Sequence, residues 1–370
     1  MLSSLRCPDA DAARSISILG IVIDVGGAPN GKYLGGTYWR DPGAFVSGFK
    51  GLCSVFVTAA FSFAGTELVG LAAAETANPR KSLPTAVKQV FWRITLFYLV
   101  SLTLVGLIVP SNEKRLIKVT SSADASASPF VIAINNAGIA GLDSVMNVVI
   151  MIAVLSVGNS SIYGSSRTLA ALAEQGQAPR LLAYIDRKGR PIVAIGIASA
   201  VGFVAFIAAS PQQGQAFAWM LALSGLSSIF TWGSICLAHI RFRRGWRLQG
   251  HTLDELAFRS QAGVIGSWLG FIFNILVLIA QFWVGFAPVG YKEMSTSELV
   301  VIFFEAYLAF PIVILFYIPY KIWYRTPFIR AANMDLQTGV RELNLAELVA
   351  EERAERASWP AWKRAYKTVC

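Results

Sequence analysis

FSFAGTELVGLAAAETANPRKSLP, Phe61 to Pro84, is the stretch on which the reading of this chain turns. Its first half continues an apolar run that begins near Gly51, and about 20 such residues are what a helix needs to cross a bilayer core. Inside that run stands a carboxylate, Glu67. An unpaired charge at such a depth is costly, so something must compensate it. Two residues earlier, Gly65 lets the backbone leave helical geometry, and broken membrane helices expose N–H and C=O groups at mid-membrane depth. A helix break beside an acid is the pairing a coupled carrier needs: backbone groups to hold a small zwitterion, and a protonatable group to link its passage to a gradient. The alternative is that Gly65 is a close-packing glycine and Glu67 a neutral acid bonded to a neighbouring helix. Ser62 and Thr66 are likewise either substrate contacts or hydroxyls returned to the backbone of the preceding turn.

Outward from this stretch the apolar blocks repeat. Seven strong spans can be drawn, at 51–74, 94–110, 142–164, 191–209, 216–240, 263–286 and 299–324. An eighth stretch, Ser15 to Gly27, is too short to cross unaided, contains Asp24, and reads as the end of a helix. Composition agrees: 55% of the 370 residues are apolar and 15% charged, where a soluble globular chain carries about 25% charge. Mean hydropathy is +0.54. An ordinary soluble enzyme is excluded, and one polytopic all-α membrane domain is the better reading. Residues 1–14 carry acids and no long apolar core, so they do not read as a cleavable signal.

The net charge of +10 would suit a nucleic-acid partner, but the basic residues lie between apolar blocks and not on aromatic-interleaved polar segments. They read as topology signals. Lys and Arg number four in 75–93, five in 165–190 and five in 241–262, against three in 111–140, none in 210–215 and one in 287–298. The rich loops and the basic tail belong in the cytoplasm and the poor ones on the other side. Pro79, in the Asn78-Pro79-Arg80-Lys81 run after Glu75, stops the first strong span at the cytoplasmic face. The tail, 325–370, is charged in a helical pattern and reads either as a docking helix or as a solvated extension. SSADASAS, 121–128, reads as a flexible external loop.

Two other spans are rich in hydroxyls. Between Ser156 and Ser166 stand Gly158, Asn159, Ser160, Ser161, Tyr163, Gly164 and Ser165, too polar a run for a lipid-facing helix. It either lines a wet pathway or packs through small residues with interhelical bonds, with a cation site of hydroxyl and carbonyl oxygens as a third option. The span over 216–240 repeats the theme with Ser224, Gly225, Ser227, Ser228, Thr231 and Ser234. Asn274 and Gln281, seven apart, share a face and are candidate interhelical glue; Glu305 sits near the external end of the last span. His239, beside Arg241, Arg243 and Arg244, reads as interfacial and His251 as an ordinary loop residue. With two histidines, no paired ligand spacing and no nucleotide or nucleophile-elbow motif in context, no metal or cofactor is expected. Cys53 and Cys236 lie inside apolar blocks, where cysteine behaves as a small hydrophobe.

Long segments carry a resemblance: FKGLCSVFVTAAFSFAGTELVGLAAAETANPRKSLPTAVKQVFWRI, SVGNSSIYGSSRTLAALAEQGQAP, IDRKGRP, LALSGLSSIFTWGSICLAHIRFRR, QGHTLDELAFRS and FFEAYLA. Through them the chain resembles the fungal amino-acid permeases of the amino acid-polyamine-organocation superfamily, and among these the general amino acid permeases. The resemblance implies an inverted-repeat (5+5+2) transporter fold, here lacking most of the first repeat. It divides the chain into an atypical segment 1–50 with the end of a helix and an external loop, a seven-span core 51–324, and a cytoplasmic tail 325–370.

On that likeness Phe61 to Gly70 is the discontinuous sixth helix, and Ser62, Phe63, Ala64, Gly65 and Thr66 form half of an amino-acid site. Glu67 is the proton-coupling acid, and Ser156 and Asn159 on the eighth helix and Ser224 and Ser227 on the tenth border the pathway. The family's first helix, which supplies the other half of the site, has no counterpart in this sequence. The implied function is proton-coupled import of a broad range of L-amino acids across the plasma membrane, with the C-terminus inside. The alternative is a truncated, non-transporting permease or a permease-like nutrient sensor. The partners implied are amino acids, protons and the lipid bilayer, with trafficking or ubiquitylation machinery as a candidate at the tail. Cys370 is a candidate palmitoylation site, although relatives often place an aromatic pair before the final cysteine and this chain ends Thr-Val-Cys.

Overall fold

The computed structural model describes residues 17–45, 47–73, 79–117, 128–209, 213–256, 260, 262–336, 338 and 358–360. Glu75, Asn78, Cys370, nearly all of the 121–128 loop and most of the tail lie outside the described residues. Every regular element among those described is a helix. In chain order the α-helices are α1 (17–24), α2 (Gly48–Ser54), α3 (Phe56–Phe63), α4 (Leu68–Ala73), α5 (Pro79–Ile108), α6 (Lys114–Ile117) and α7 (Pro129–Asn136). There follow α8 (Leu142–Glu174), α9 (Ile192–Val201), α10 (Gln213–Leu248), α11 (Gly263–Phe286), α12 (Thr296–Tyr307) and α13 (Ala309–Trp323).

Among the described residues, five helical stretches are long and apolar enough to cross a membrane: Gly48–Gly70, Ala86–Ile108, Leu142–Glu174, Gly214–Leu248 and Gly263–Glu293. A sixth forms if α12 and α13, bent by 55° at their junction, are one broken span. The bend has a local cause. Pro311 has no N–H to give the Tyr307 carbonyl and its ring crowds that turn. The stretch at 191–209 is no single α-helix: α9 ends at Val201 and a 3₁₀ segment, Gly202–Ala209, continues it. Pro79 opens α5, where the missing N–H costs nothing because the first helical N–H groups have no partner within the helix.

The chain forms two compact units. One comprises Met1–Val46 and Arg93–Ala218, the other Ser47–Trp92 and Trp219–Cys370, so that α5 and α10 each contribute to both. In the first unit Ile23 of α1, Ile108 at the end of α5 and Ile132 and Ala133 of α7 share one apolar cluster. Short α7 turns Val131, Ile132, Ala133 and Ile134 inward in succession, the pattern of a helix enclosed on all sides. The second half of α8 packs on α9 through Ala173 and Ala194, small enough to let the helix backbones approach, with Leu182 of the intervening 3₁₀ turn in the same cluster. Upstream on α8, Val148, Met151, Ile152, Val154 and Leu155 are exposed, as side chains bathed in hydrocarbon are.

In the second unit Val57 and Ala60 of α3, Leu226 and Ile229 of α10, Val277 of α11 and Ala309 of α13 make the core, with Trp232 packed against it. Lys50 of α2 lies over Tyr291 at 4.7 Å and over Trp283 at 5.7 Å, a cation–π contact that ties the start of α2 to the end of α11.

Candidate functional site: a broken helix against α10

The break lies where the sequence places it. α3 ends at Phe63, Ala64 takes an extended ψ of 143°, and Gly65 has φ +93°. That φ is in the left-handed region, where a Cβ would clash with the backbone and glycine does not. Residues 64–67 form a turn before α4 begins at Leu68. Turn bonds satisfy part of the freed backbone: Ala64 N–H donates to the Phe61 carbonyl at 3.1 Å and Leu68 N–H to the Gly65 carbonyl at 3.1 Å.

Glu67 folds back over this turn. Its Oε2 accepts the Gly65 N–H at 3.1 Å and, from α10, the indole N–H of Trp232 at 3.2 Å. The carboxylate is half-buried, and two N–H groups take the place of the water it gave up. The acid thus bonds both the break and a neighbouring helix, so the two sequence readings of Glu67 share one geometry. Seven residues before Trp232, two helical turns and about 10 Å away, α10 meets α3 directly. A Cβ on Gly225 would lie 2.8 Å from both the carbonyl oxygen and Cγ1 of Val57. The broken helix is therefore held to α10 at two points, Val57 before the break and Glu67 after it.

The hydroxyls of Ser227, Ser228 and Thr231 on α10 return to their own helix. Ser227 donates to the Leu223 carbonyl at 2.7 Å, Ser228 to Ser224 at 3.0 Å and Thr231 to Ser227 at 3.0 Å. On α3, Ser62 donates to the Thr58 carbonyl at 3.1 Å. This bonding keeps a hydroxyl in an apolar span from standing unpaired. It leaves the hydroxyl oxygen able to accept a further bond. Ser62, Phe63, Ala64, Gly65, Thr66, Glu67, Ser224 and Ser227 all belong to the second unit. Ser156 and Asn159 belong to the first and stand at exposed positions of α8. Farther along α8, Ser161 and Ser165 bond the carbonyls of Val157 and Ser161 at 2.9 and 2.7 Å, while Gly164 and Ser166 are buried. Arg167 lies over the Tyr163 ring at 4.4 Å.

One contact runs against the sequence reading. Asn274 bonds the Gly270 carbonyl of its own helix, and Gln281 alone of that pair reaches across, donating to the Ala306 carbonyl at 3.3 Å beside the bend between α12 and α13. His239 Nδ1 lies 2.7 Å from Ser267 Oγ, joining α10 to α11. Trp232 was not visible as a site residue. A tryptophan in an apolar span reads as packing, and only its contact with Glu67 distinguishes it.

Fold and site together define a multi-pass helical membrane protein with a discontinuous span that carries an acid at its break. The chain belongs to the amino acid permease family, whose model matches residues 12–332. It is 57% identical to the general amino-acid permease GAP1 of Saccharomyces cerevisiae over 363 residues, which cover 95% of this chain and 59% of the relative. It is 58% identical to the general amino-acid permease GAP2 of Candida albicans, over 95% of this chain and 60% of the relative. The histidine permease of S. cerevisiae matches at 50% identity, over 92% of this chain and 57% of the relative. The chain thus spans about three fifths of the length of these curated relatives.

Proposed function

We propose that this chain carries amino acids across a membrane as a proton-coupled importer of broad L-amino-acid range. The observation that carries the reading is the break at Gly65 with the Glu67 carboxylate folded over it, in a chain 57% identical to a general amino-acid permease. Each half of the break suits the task. Backbone groups released at Phe61 to Thr66 can pair with the ammonium and carboxylate of a zwitterion where no water competes. Glu67 can alternate between a charged and a neutral form, so that a proton crosses with the substrate. Ser62, Phe63, Ala64, Gly65 and Thr66 are the substrate contacts in this reading, with Ser224 and Ser227 beside them on α10. Ser156 and Asn159 border the pathway from α8. The distribution of Lys and Arg supports a cytoplasmic C-terminus, and in this reading the membrane is the plasma membrane. The tail then meets trafficking or ubiquitylation machinery from the cytoplasmic side.

Uptake of labelled amino acids by cells that lack their own permeases, expressing this chain, tests the reading. Accumulation against a gradient that collapses with a protonophore is the expected result. Correct insertion with neither uptake nor substrate binding would instead favour a non-transporting sensor.

A further inference from the structure

We infer that Trp232 is the positioning residue for Glu67, holding the carboxylate against the helix break so that Oε1 is the oxygen that gains and loses the proton. The inference deepens the coupling role proposed for Glu67 and rests on it. Both hydrogen bonds to this carboxylate fall on one atom: the Gly65 N–H at 3.1 Å and the Trp232 indole N–H at 3.2 Å reach Oε2. An sp² carboxylate oxygen offers two lone pairs, so two N–H donors fill it. A proton arriving from water adds to a lone pair of Oε1, turning the carboxylate into a neutral acid whose carbonyl oxygen is Oε2. That oxygen still accepts, so both N–H bonds survive protonation. When the proton leaves for water on the other side, the electron pair stays on Oε1 and nothing else breaks. The acid therefore stays in one place through both charge states, and the break at Gly65 keeps its shape while the charge changes.

Trp232 is fit for this task by where it stands. It packs on the second unit's core, next to Ile229 and Leu226 on α10, so the indole is anchored by its apolar body with its N–H as the polar tip. The Gly225–Val57 contact two turns earlier fixes α10 against α3, which sets the distance from Trp232 to the break. Indole nitrogen is a donor only, so it holds an acceptor oxygen and cannot compete for the proton.

Two substitutions separate a hydrogen-bonding role from a packing role. Trp232→Phe keeps an aromatic body and removes the N–H; Trp232→Gln supplies N–H donors and removes the aromatic body. Each is assayed in the full chain for accumulation against a gradient and for one-for-one exchange of labelled with unlabelled substrate, which moves no net proton. The expected result for Trp232→Phe is accumulation reduced at least about tenfold, the scale of one lost bond to a charged group, with exchange reduced much less. Trp232→Gln is expected to accumulate better than Trp232→Phe. The reverse order, or equal losses of exchange and accumulation, would overturn the inference.

A second measurement does not depend on transport. The thermal midpoints of Glu67→Leu, which has no acceptor oxygen, Trp232→Phe and the double variant in detergent are compared with the parent. The double variant is expected to fall by less than the two single shifts together, because both remove the same charged bond. Strict additivity would overturn the inference even if transport is intact. A non-additive result in a chain that moves no amino acid would uphold the bond and defeat the transport reading.

Discussion

The backbone of Gly225 lies directly against the Val57 carbonyl, so close that a Cβ on Gly225 would come within 2.8 Å of that oxygen. A carbonyl in a helix cannot swing aside as a side chain can, so the added methyl must push α10 from α3. Overpacking of this kind costs about 1–3 kcal/mol. Gly225→Ala is expected to lower the thermal midpoint of the purified chain in detergent. An unchanged midpoint would mean that the two helices part without cost, and the fixed distance from α10 to the break would lose its basis.

At Gly65 the constraint is conformational. With φ at +93° an alanine is strained, on the order of 1–2 kcal/mol, whereas asparagine tolerates positive φ better. Gly65→Asn is therefore expected to keep more folded protein than Gly65→Ala when both are followed by size-exclusion yield after extraction. Equal yields would show that the turn relaxes to another conformation in the membrane.

The loop after α10 makes a pH prediction. Thr252 and Glu255 form a capping box, with the Thr252 N–H donating to Glu255 Oε1 at 2.7 Å, and His251 Nδ1 lies 2.7 Å from Oε2. Bonds from the Thr252 backbone N–H, its hydroxyl and the His251 ring hold the Glu255 carboxyl down to about 2 from an ordinary 4.5. A carboxyl lowered on folding supports the loop above its unfolded value, and that support drains as pH falls from about 4.5 toward 2. Amide exchange over 249–256 is expected to stay slow down to pH 4.5 and to speed up below it, beyond the intrinsic trend. In Glu255→Ala it should be fast throughout.

Past α13 the chain returns along the C-terminal end of α10. Phe328 lies under the Arg241 guanidinium at 4.4 Å, Arg241 also bonds the Ile329 carbonyl, and Gln249 donates to the Met334 carbonyl at 2.8 Å. Gly245 makes the close approach possible, since a Cβ there would sit 2.8 Å from the Ala331 carbonyl oxygen. Gly245→Leu should lift this segment and hasten tryptic cleavage after Arg330. Cleavage at the parental rate would mean the segment is held from elsewhere.

The break was legible because its signals are local: one glycine and one acid two residues apart inside an apolar run. Its partner was not, because Trp232 stands 165 residues along the chain and nothing near it marks it as a donor. The hydroxyl-rich spans carry a sign of their own in the spacing of their hydroxyls. Ser161 and Ser165, Ser224 and Ser228, and Ser227 and Thr231 stand four apart, the spacing at which a hydroxyl returns to its own helix, and the structure uses them so. Length and hydropathy drew 191–209 and 299–324 as plain spans, since apolar content says nothing of hydrogen-bond register. The 3₁₀ segment at Gly202–Ala209 escapes such a count, whereas the bend at Leu308 is announced by Pro311 three residues on. In the 241–262 loop, Thr252 followed three residues later by Glu255 was a capping signature that gave His251 its partner.

The proposal that Glu67 couples a proton to the passage of an amino acid is tested most directly by replacing that carboxyl. Glu67→Gln keeps the size and the oxygen that accepts from Gly65 and Trp232 but cannot cycle a proton. With surface expression equal to the parent, uptake into energised cells is expected to stop at equilibration, with no accumulation and no response to a protonophore. A variant that still concentrates amino acids at the parental ratio would contradict the account.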